Sequence, residues 1–578
     1  MIYDGIAGSE GIAAGRAYIY NNDQVESNEG RISSGEAEAE LCKLDEGIRK
    51  SKAQIEELKK KVLSELDESK AMIFDAHMMM LEDPEFLETV RESIRADNLN
   101  AAYAVRKAAD FYISIFGQIE DDYMRERAAD IKDVSSRLIR NITGTPSDEL
   151  KKIDSPVIVV AHDLTPSDTA SMNRNLILGF AADIGGGTSH AAIMAKSLGI
   201  PAVLGLGNIS KKVKNGDYII IDGTEGKVII NPDTGLKEEY KLKIYEYKKQ
   251  RKKFEGSAFL PAVTTDERKV EIAGNIGTPE DIESVIARGG DGVGLFRTEF
   301  LYMDRDSLPT EEEQFEVYRK AAAAFEGKPV IIRTLDIGGD KKLRYLELPE
   351  EMNPFLGWRA IRICLERKDI FKTQLRAILR ASTYGNIMIM FPMISGVGEL
   401  RAAKEVLEEA KSELRRENIE FNEDIKVGIM VEIPSAAITA DTIAKEADFF
   451  SIGTNDLCQY SLAVDRMNPK VSKLFQPLHP GILKLIKHVI DASHRHGIFT
   501  GMCGGMAGSG EAAIILLGLG LDEYSMSAAS IPVIKSIIRN VSYEKAKEIA
   551  CHALELETPE EVLEYSRSIM KQLKIEYI

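Results

Sequence analysis

The spacing of apolar positions changes along the chain, and each change marks a different kind of structure. Residues 1–20 alternate apolar and small residues with several glycines, the texture of short strands. From Glu36 to Thr143 the spacing becomes helical, as in QIEELKKKVLSEL, and only Gly47, Pro84 and Gly117 interrupt it. Asp83-Pro84 reads as an N-cap followed by proline at the first helical position, so one helix stops there and another starts. The spacing predicts a bundle of long helices. Strand signals return at PVIVVA (156–161), LILGF (176–180), YIIIDG (218–223) and KVIIN (227–231). The bundle therefore reads as an insertion in an α/β domain that starts at residue 1 and resumes near residue 150.

LKEEYKLKIYEYKKQRKKFEG (236–256) is strongly charged and helix-prone, the pattern of a solvated linker helix. Beyond Lys269, eight apolar runs alternate with helical stretches: 270–276, 292–300, 329–337, 387–393, 427–434, 449–456, 498–505 and 522–528. That rhythm predicts a (β/α)8 TIM barrel. The fold class is multidomain α/β. The expected boundaries are 1–21 with 146–232 for the α/β domain, 22–145 for the inserted bundle, 233–260 for the linker helix and 261–578 for the barrel.

Composition narrows the function. The chain has 578 residues, 44% of them hydrophobic, enough for several cores. A net charge of −18 argues against nucleic acid as the main partner, and would suit a basic protein partner. Cys42, Cys364, Cys458, Cys503 and Cys551 show no CxxC spacing, so neither a zinc site nor a disulfide framework is expected. No basic stretch with a long apolar run opens the chain, and the expected location is cytoplasmic.

Polar residues at the C-terminal ends of barrel strands face the active site. Here Arg297 and Arg333 end the second and third strands, Glu432 the fifth, Asn455 and Asp456 the sixth, and Cys503 the seventh, with Arg466 in the next loop. Charges at the ends of apolar strands are costly unless paired or liganded. Two carboxylates, Glu432 and Asp456, suit Mg²⁺, which keeps several waters and binds substrate directly. Several arginines clamp phosphate and carboxylate through forked hydrogen bonds. The pattern points to a small phosphorylated acid, with the Cys503 thiol placed to protonate an enolate carbon or to serve as a small buried hydrophobe.

The α/β domain carries AADIGGGTSHAAIMAKSLGIPAVLG (181–205). Glycines precede His190 and a helical stretch follows, so His190 lies at a helix N-terminus where backbone N–H groups and the dipole favour an attached phosphate. His77, His162, His479, His488, His494, His496 and His552 have no comparable setting. The nucleotide loop pattern GxxxxGK[ST] is absent, and an activated imidazole nucleophile fits better.

Taken together, GGGTSHAAIMAKSLGIPA, GLFRTEFLYM, RTLDIGGDK, NPFLGWRAIR, IMVEIPSAAITAD, SIGTNDLCQYSLAVDRMNP, QPLHPGILKLI, GMCGGMAG and GLGLDEYSMSA resemble the signature blocks of the enzyme I family of the bacterial sugar phosphotransferase system. The resemblance spans essentially the whole chain in family order. It implies that His190 is the phosphorylated histidine of a swivelling domain and that Thr169 orients it. It implies phosphoenolpyruvate binding by Arg297, Arg333, Asn455, Asp456 and Arg466, with Lys341 and Arg359 nearby. It further implies Mg²⁺ on Glu432 and Asp456, and Cys503 as proton donor to the product pyruvate. The bundle resembles the family's docking domain for the carrier protein HPr, with SKAMIFDAHMMMLEDPEF (69–86) supplying much of that surface, and the barrel resembles its homodimerisation domain. Two positions depart from the family pattern: Gly187 stands where an arginine is usual, and Gly505 where an acid is usual. Two other readings share these modules. A pyruvate phosphate dikinase or phosphoenolpyruvate synthase would also need an ATP-binding domain, for which residues 1–255 leave no room. A non-catalytic docking protein would bind HPr without phosphate transfer.

Overall fold

The computed structural model describes residues 1–20, 30–33, 35–65, 68–117, 122–145, 153–172, 176–186, 189–303, 305, 307–339, 343, 345–346, 349, 351–466, 468 and 470–575. The chain divides into two compact units, Met1–Lys248 and Lys249–Ile578.

The first unit is built on an eight-stranded sheet with strands β1 (Ile2–Asp4), β2 (Ile6–Ser9), β3 (Ile12–Tyr20), β4 (Val157–Ala161), β5 (Ile177–Ala182), β6 (Ala202–Leu204), β7 (Tyr218–Asp222) and β8 (Lys227–Ile230), in the order β1-β8-β7-β3-β4-β5-β6-β2. The centre, β3 to β6, is parallel. Central parallel strands are covered on both faces, which is why VIVVA is buried along its full length. Among the described residues, five helices lie between β3 and β4: α1 (Ala37–Glu65), α2 (Glu68–Glu82), α3 (Pro84–Arg95), α4 (Ala101–Gly117) and α5 (Asp122–Thr143). Their apolar stripes meet in a core that includes Leu44, Ile55, Phe74, Leu81, Val105 and Leu138. Asp83 caps α3 as the sequence predicts, its carboxylate accepting the Phe86 amide at 2.7 Å. The sheet carries the short helices α6 (Pro166–Ser171), α7 (His190–Leu198) and α8 (Ile209–Lys212), and the charged stretch beyond β8 forms α9 (Thr234–Ser257).

The second unit is a closed barrel of eight parallel strands: β9 (Glu271–Ile276), β10 (Val293–Arg297), β11 (Pro329–Arg333), β12 (Asn386–Phe391), β13 (Lys426–Val431), β14 (Phe449–Ile452), β15 (Phe499–Met502) and β16 (Glu523–Met526). Leu295, Ile331, Met388, Met390, Met430 and Phe449 pack together as one cluster, and a larger apolar layer seats the surrounding helices. The strands are shorter than their apolar runs suggest. In FFSIGTND the strand ends at Ile452 and a helix runs from Thr454 to Leu462. Asn455 and Asp456 therefore sit in the first turn of a helix and not at a strand end. Small polar residues compete for backbone hydrogen bonds and favour such starts, which ends the strand early. Among the described residues no helix is long and apolar enough to cross a membrane.

Candidate active site

A cavity of about 380 Å³ opens at the C-terminal ends of the barrel strands. Among the described residues, four arginines (Arg297, Arg333, Arg359, Arg466) and four carboxylates (Glu299, Asp336, Glu432, Asp456) line it, with Asn455, Cys503, Phe355 and Met430. Arg297, the last residue of β10, is exposed and has no hydrogen-bond or ion-pair partner among the described residues. Arg333, the last residue of β11, is buried; it pairs with Glu299 and, through Nη1, with Asp336 Oδ2 at 2.9 Å. Arg359 donates from Nη2 to Asp336 Oδ1 at 2.9 Å and from Nη1 to the Tyr460 hydroxyl at 3.1 Å. Its guanidinium lies 5.7 Å from the Phe355 ring centroid. Arg466 Nη1 stands 3.8 Å from Asp456 Oδ1, and Asn455 Oδ1 accepts the Gly505 amide at 3.1 Å.

Two of these side chains are set by unusual backbone. Ala360, next to Arg359, has φ 50° and ψ −124°. Met393, just past β12, has φ 56°, and its amide donates to Glu432 Oε1 at 2.6 Å. Residues other than glycine adopt positive φ at a cost, and such sites cluster where geometry is over-determined. Gly504 is a true glycine position: a Cβ there would lie 1.9 Å from Thr454 Oγ1.

The electrostatics of the pocket are uneven. Burial, with Asp456 and Asp336 alongside, pushes the Glu432 carboxyl up to about 8, against the pull of Arg333 and Arg359. Burial also pushes the Cys503 thiol up to about 11, so the sulfur is protonated at neutral pH. Cys503 Sγ–H points to the Ile452 carbonyl at 3.9 Å.

The residues present fit a divalent cation. Asp456 Oδ1 is buried and accepts no hydrogen bond from the described residues. Glu432 is buried beside it with too little positive charge nearby to stay ionised easily. A cation relieves both problems. Among the described residues no group of three or more His, Cys, Asp or Glu side chains converges on a metal position. Two carboxylates that leave the remaining positions to water and substrate match a hard, hydrated ion such as Mg²⁺.

In the first unit, His190 is the first residue of α7. Ser189 caps that helix, its hydroxyl accepting the Ala192 amide at 3.4 Å and donating to the Gly186 carbonyl at 2.8 Å. Gly199 ends it at φ 63°, the left-handed conformation that glycine supplies without strain. Gly187, Thr188 and the His190 side chain lie outside the described residues, as does Lys341. Thr169 is buried in α6, which packs beside α7, and its hydroxyl donates to the Thr165 carbonyl at 3.2 Å. Thr165 and Asp168 form a capping box at the start of α6, braced from β3 by the Tyr20 hydroxyl donating to Asp168 Oδ1 at 2.6 Å.

Of the residues singled out from sequence, the barrel mouth therefore brings together Arg297, Arg333, Arg359, Glu432, Asn455, Asp456, Arg466 and Cys503. The first unit holds Thr169 and His190. Sequence reasoning missed Glu299, Asp336, Phe355 and Tyr460. The first two had a signal: acids two and three residues after strand-ending arginines, in RTEF and RTLD.

Three family profiles match the chain: the PEP-binding domain of PEP-utilising enzymes at residues 251–543, their N-terminal domain at 4–127 and their mobile domain at 153–226. PEP is phosphoenolpyruvate. Among curated proteins, the phosphoenolpyruvate-protein phosphotransferase of Geobacillus stearothermophilus is 50% identical over 97% of each chain. That of Bacillus subtilis (strain 168) is 49% identical over 98% of this chain and 99% of its own length. That of Priestia megaterium is 49% identical over 98% of each. With the barrel-mouth pocket and the helix-capped histidine in the same chain, these matches show that the protein belongs to the PEP-utilising enzyme family, among its phosphoenolpyruvate-protein phosphotransferases.

Proposed function

We propose that this chain takes the phosphoryl group of phosphoenolpyruvate onto His190, releases pyruvate, and passes the phosphoryl group to the carrier protein HPr. The observation that supports this best is the barrel-mouth pocket itself: arginines, two adjacent buried carboxylates and a protonated thiol around a cavity with ample room for a three-carbon phosphorylated acid.

In this reading Arg297, Arg333, Arg359 and Arg466 receive the phosphate and carboxylate of the substrate, with Asn455 as a neutral donor and Lys341 close by. The His190 imidazole attacks phosphorus, and the bond from phosphorus to the enol oxygen breaks. The charge spread over the phosphoryl oxygens is met by the guanidinium groups. The enolate carbon then takes the proton of Cys503 Sγ and becomes the methyl group of pyruvate; the thiolate regains a proton from water. Glu432 and Asp456 would hold Mg²⁺, which when bound supplies positive charge against the phosphoryl and carboxylate oxygens. Thr169, on the helix beside His190, orients the imidazole.

The domain roles follow. Residues 1–21 and 146–232 form the carrier domain that moves the phosphohistidine, with 233–260 as its hinge. The bundle at 22–145 is the HPr dock; Met79 on α2 is exposed, as a docking face requires. Residues 261–578 bind substrate and form a homodimer, and the protein works in the cytoplasm. The test is stoichiometry: with Mg²⁺ and limiting HPr, pyruvate released should equal phosphorylated HPr plus phosphorylated enzyme, and ATP should not replace phosphoenolpyruvate. Pyruvate release without HPr phosphorylation, or labelling driven by ATP, would overturn the reading.

A further inference from the structure

Asp336 lies three residues past β11, buried, and each of its carboxylate oxygens holds a different arginine. Oδ2 meets Arg333 Nη1 and Oδ1 meets Arg359 Nη2, both at 2.9 Å. The backbone enforces the arrangement. The Ala360 amide donates to the Ile337 carbonyl at 2.9 Å, so the turn after Asp336 is tied to the residue after Arg359. Gly338, at φ 107°, passes so close that a Cβ there would lie 2.5 Å from Arg359 Cβ. Arg333 is braced a second time by Glu299, whereas Arg359 meets only one other carboxylate among the described residues, Asp456 at 4.0 Å. The Nε atoms of both arginines are buried with no hydrogen-bond partner among the described residues. Buried donors left open in this way suit a pocket waiting for an anion more than a finished salt bridge. Stability does not explain the triad either, because buried ion pairs are often no better than apolar residues of the same volume.

We propose that Asp336 is a positioning residue: it holds Arg333 and Arg359 at the separation that receives phosphoenolpyruvate, without touching the substrate itself. This rests on the reading that the pocket binds phosphoenolpyruvate. Asn at 336 keeps the size but presents an amide to one guanidinium, donor against donor, so that arginine turns away. A displacement of about 1 Å in a clamping group can cost about a hundredfold in rate.

The experiment is steady-state kinetics of the full chain with phosphoenolpyruvate varied and HPr as acceptor, for wild type, Asp336→Asn, Arg359→Met, the double variant Asp336→Asn/Arg359→Met, and Asp336→Leu/Arg359→Met. The last replaces the buried pair with apolar side chains and keeps the test open if Asp336→Asn folds poorly. Asp336→Asn should lose about a hundredfold in kcat/KM, with KM raised. Both double variants should lose little beyond Arg359→Met alone, because Glu299 still holds Arg333 and Asp336 then acts chiefly through Arg359. Losses that multiply instead, or an Asp336→Asn enzyme with unchanged kcat/KM beside an active wild type, overturn the inference. A wild type that does not turn over phosphoenolpyruvate overturns the reading of the pocket and this inference with it.

Discussion

At the scale of single residues, the site trades local comfort for placement. Ala360 holds a backbone conformation natural only to glycine, directly after an arginine that lines the cavity. Ala360→Gly should raise stability by about 1 kcal/mol, the released strain less the extra entropy of glycine in the unfolded chain. It should also loosen Arg359 and raise KM for phosphoenolpyruvate; thermal unfolding and steady-state kinetics read the two effects separately. Cys503 supplies a second expectation. Its thiol, pushed up to about 11 by burial, holds its proton at neutral pH, as a donor to carbon must. Cys503→Ala should still label His190 from phosphoenolpyruvate but release pyruvate at least tenfold more slowly, as seen by following both products in one quenched time course. Gly505 is a milder departure from the family pattern. Among the described residues a Cβ there would meet only Asn455 Oδ1, at an ordinary 3.4 Å, so the position does not require glycine on Cβ packing grounds.

Elements explain which of these residues could be read in advance. Strands buried on both faces are mostly apolar, so β11, β12, β13 and β14 stand out as runs of Val, Ile, Met and Phe, while β9, β15 and β16 mix in polar and small residues. The strand ends do not stand out, because the polar residues that follow serve the pocket and do not mark a turn. FFSIGTND looks like one strand, yet the backbone turns at Gly453 into a helix whose first turn carries Asn455 and Asp456. Arginines and Glu432 at apolar strand ends were conspicuous. Glu299 and Asp336 were not, since an acid in a connecting loop resembles any solvated acid until the fold buries it. Helix caps were legible where a side chain makes the bond, as at Asp83, and hidden where the brace comes from far along the chain. The start of α6 is such a case: Tyr20 of β3 reaches Asp168, and Asp133 of α5 accepts the Ser167 amide at 3.2 Å. Burial, with Asp133 nearby, pushes the Asp168 carboxyl up to about 6. Tyr20→Phe removes its buried donor. It should destabilise the first unit by about 1–3 kcal/mol in urea unfolding and speed amide exchange in α6 first.

For the molecule as a whole, the barrel carries a pH signature of its own. Glu523 of β16 is buried, its carboxyl oxygen lodged where Cβ atoms at Gly294 and Gly501 would collide with it. Burial, with Glu271 and Asp522 nearby, pushes it up to about 8 from 4.5. Below pH 4.5 both folded and unfolded chains hold this proton and its stabilising effect is complete. Between 4.5 and 8 only the folded chain keeps it, so stability falls with rising pH by up to about 1.4 kcal/mol per unit. Glu523→Gln should abolish that slope, gaining stability over wild type at pH 8 and little at pH 4, as denaturant unfolding at the two pH values will show. The larger consequence concerns His190. If one imidazole takes phosphate from the barrel mouth and gives it up at the helical dock, then loading is the step on which every other assignment depends. It is tested by incubating the purified chain with phosphoenolpyruvate and Mg²⁺ and mapping the adduct by mass spectrometry. The expected result is a single acid-labile phosphoryl group on the peptide containing His190, absent from His190→Ala. An unlabelled wild type, or a His190→Ala chain that still acquires the group, would contradict the account.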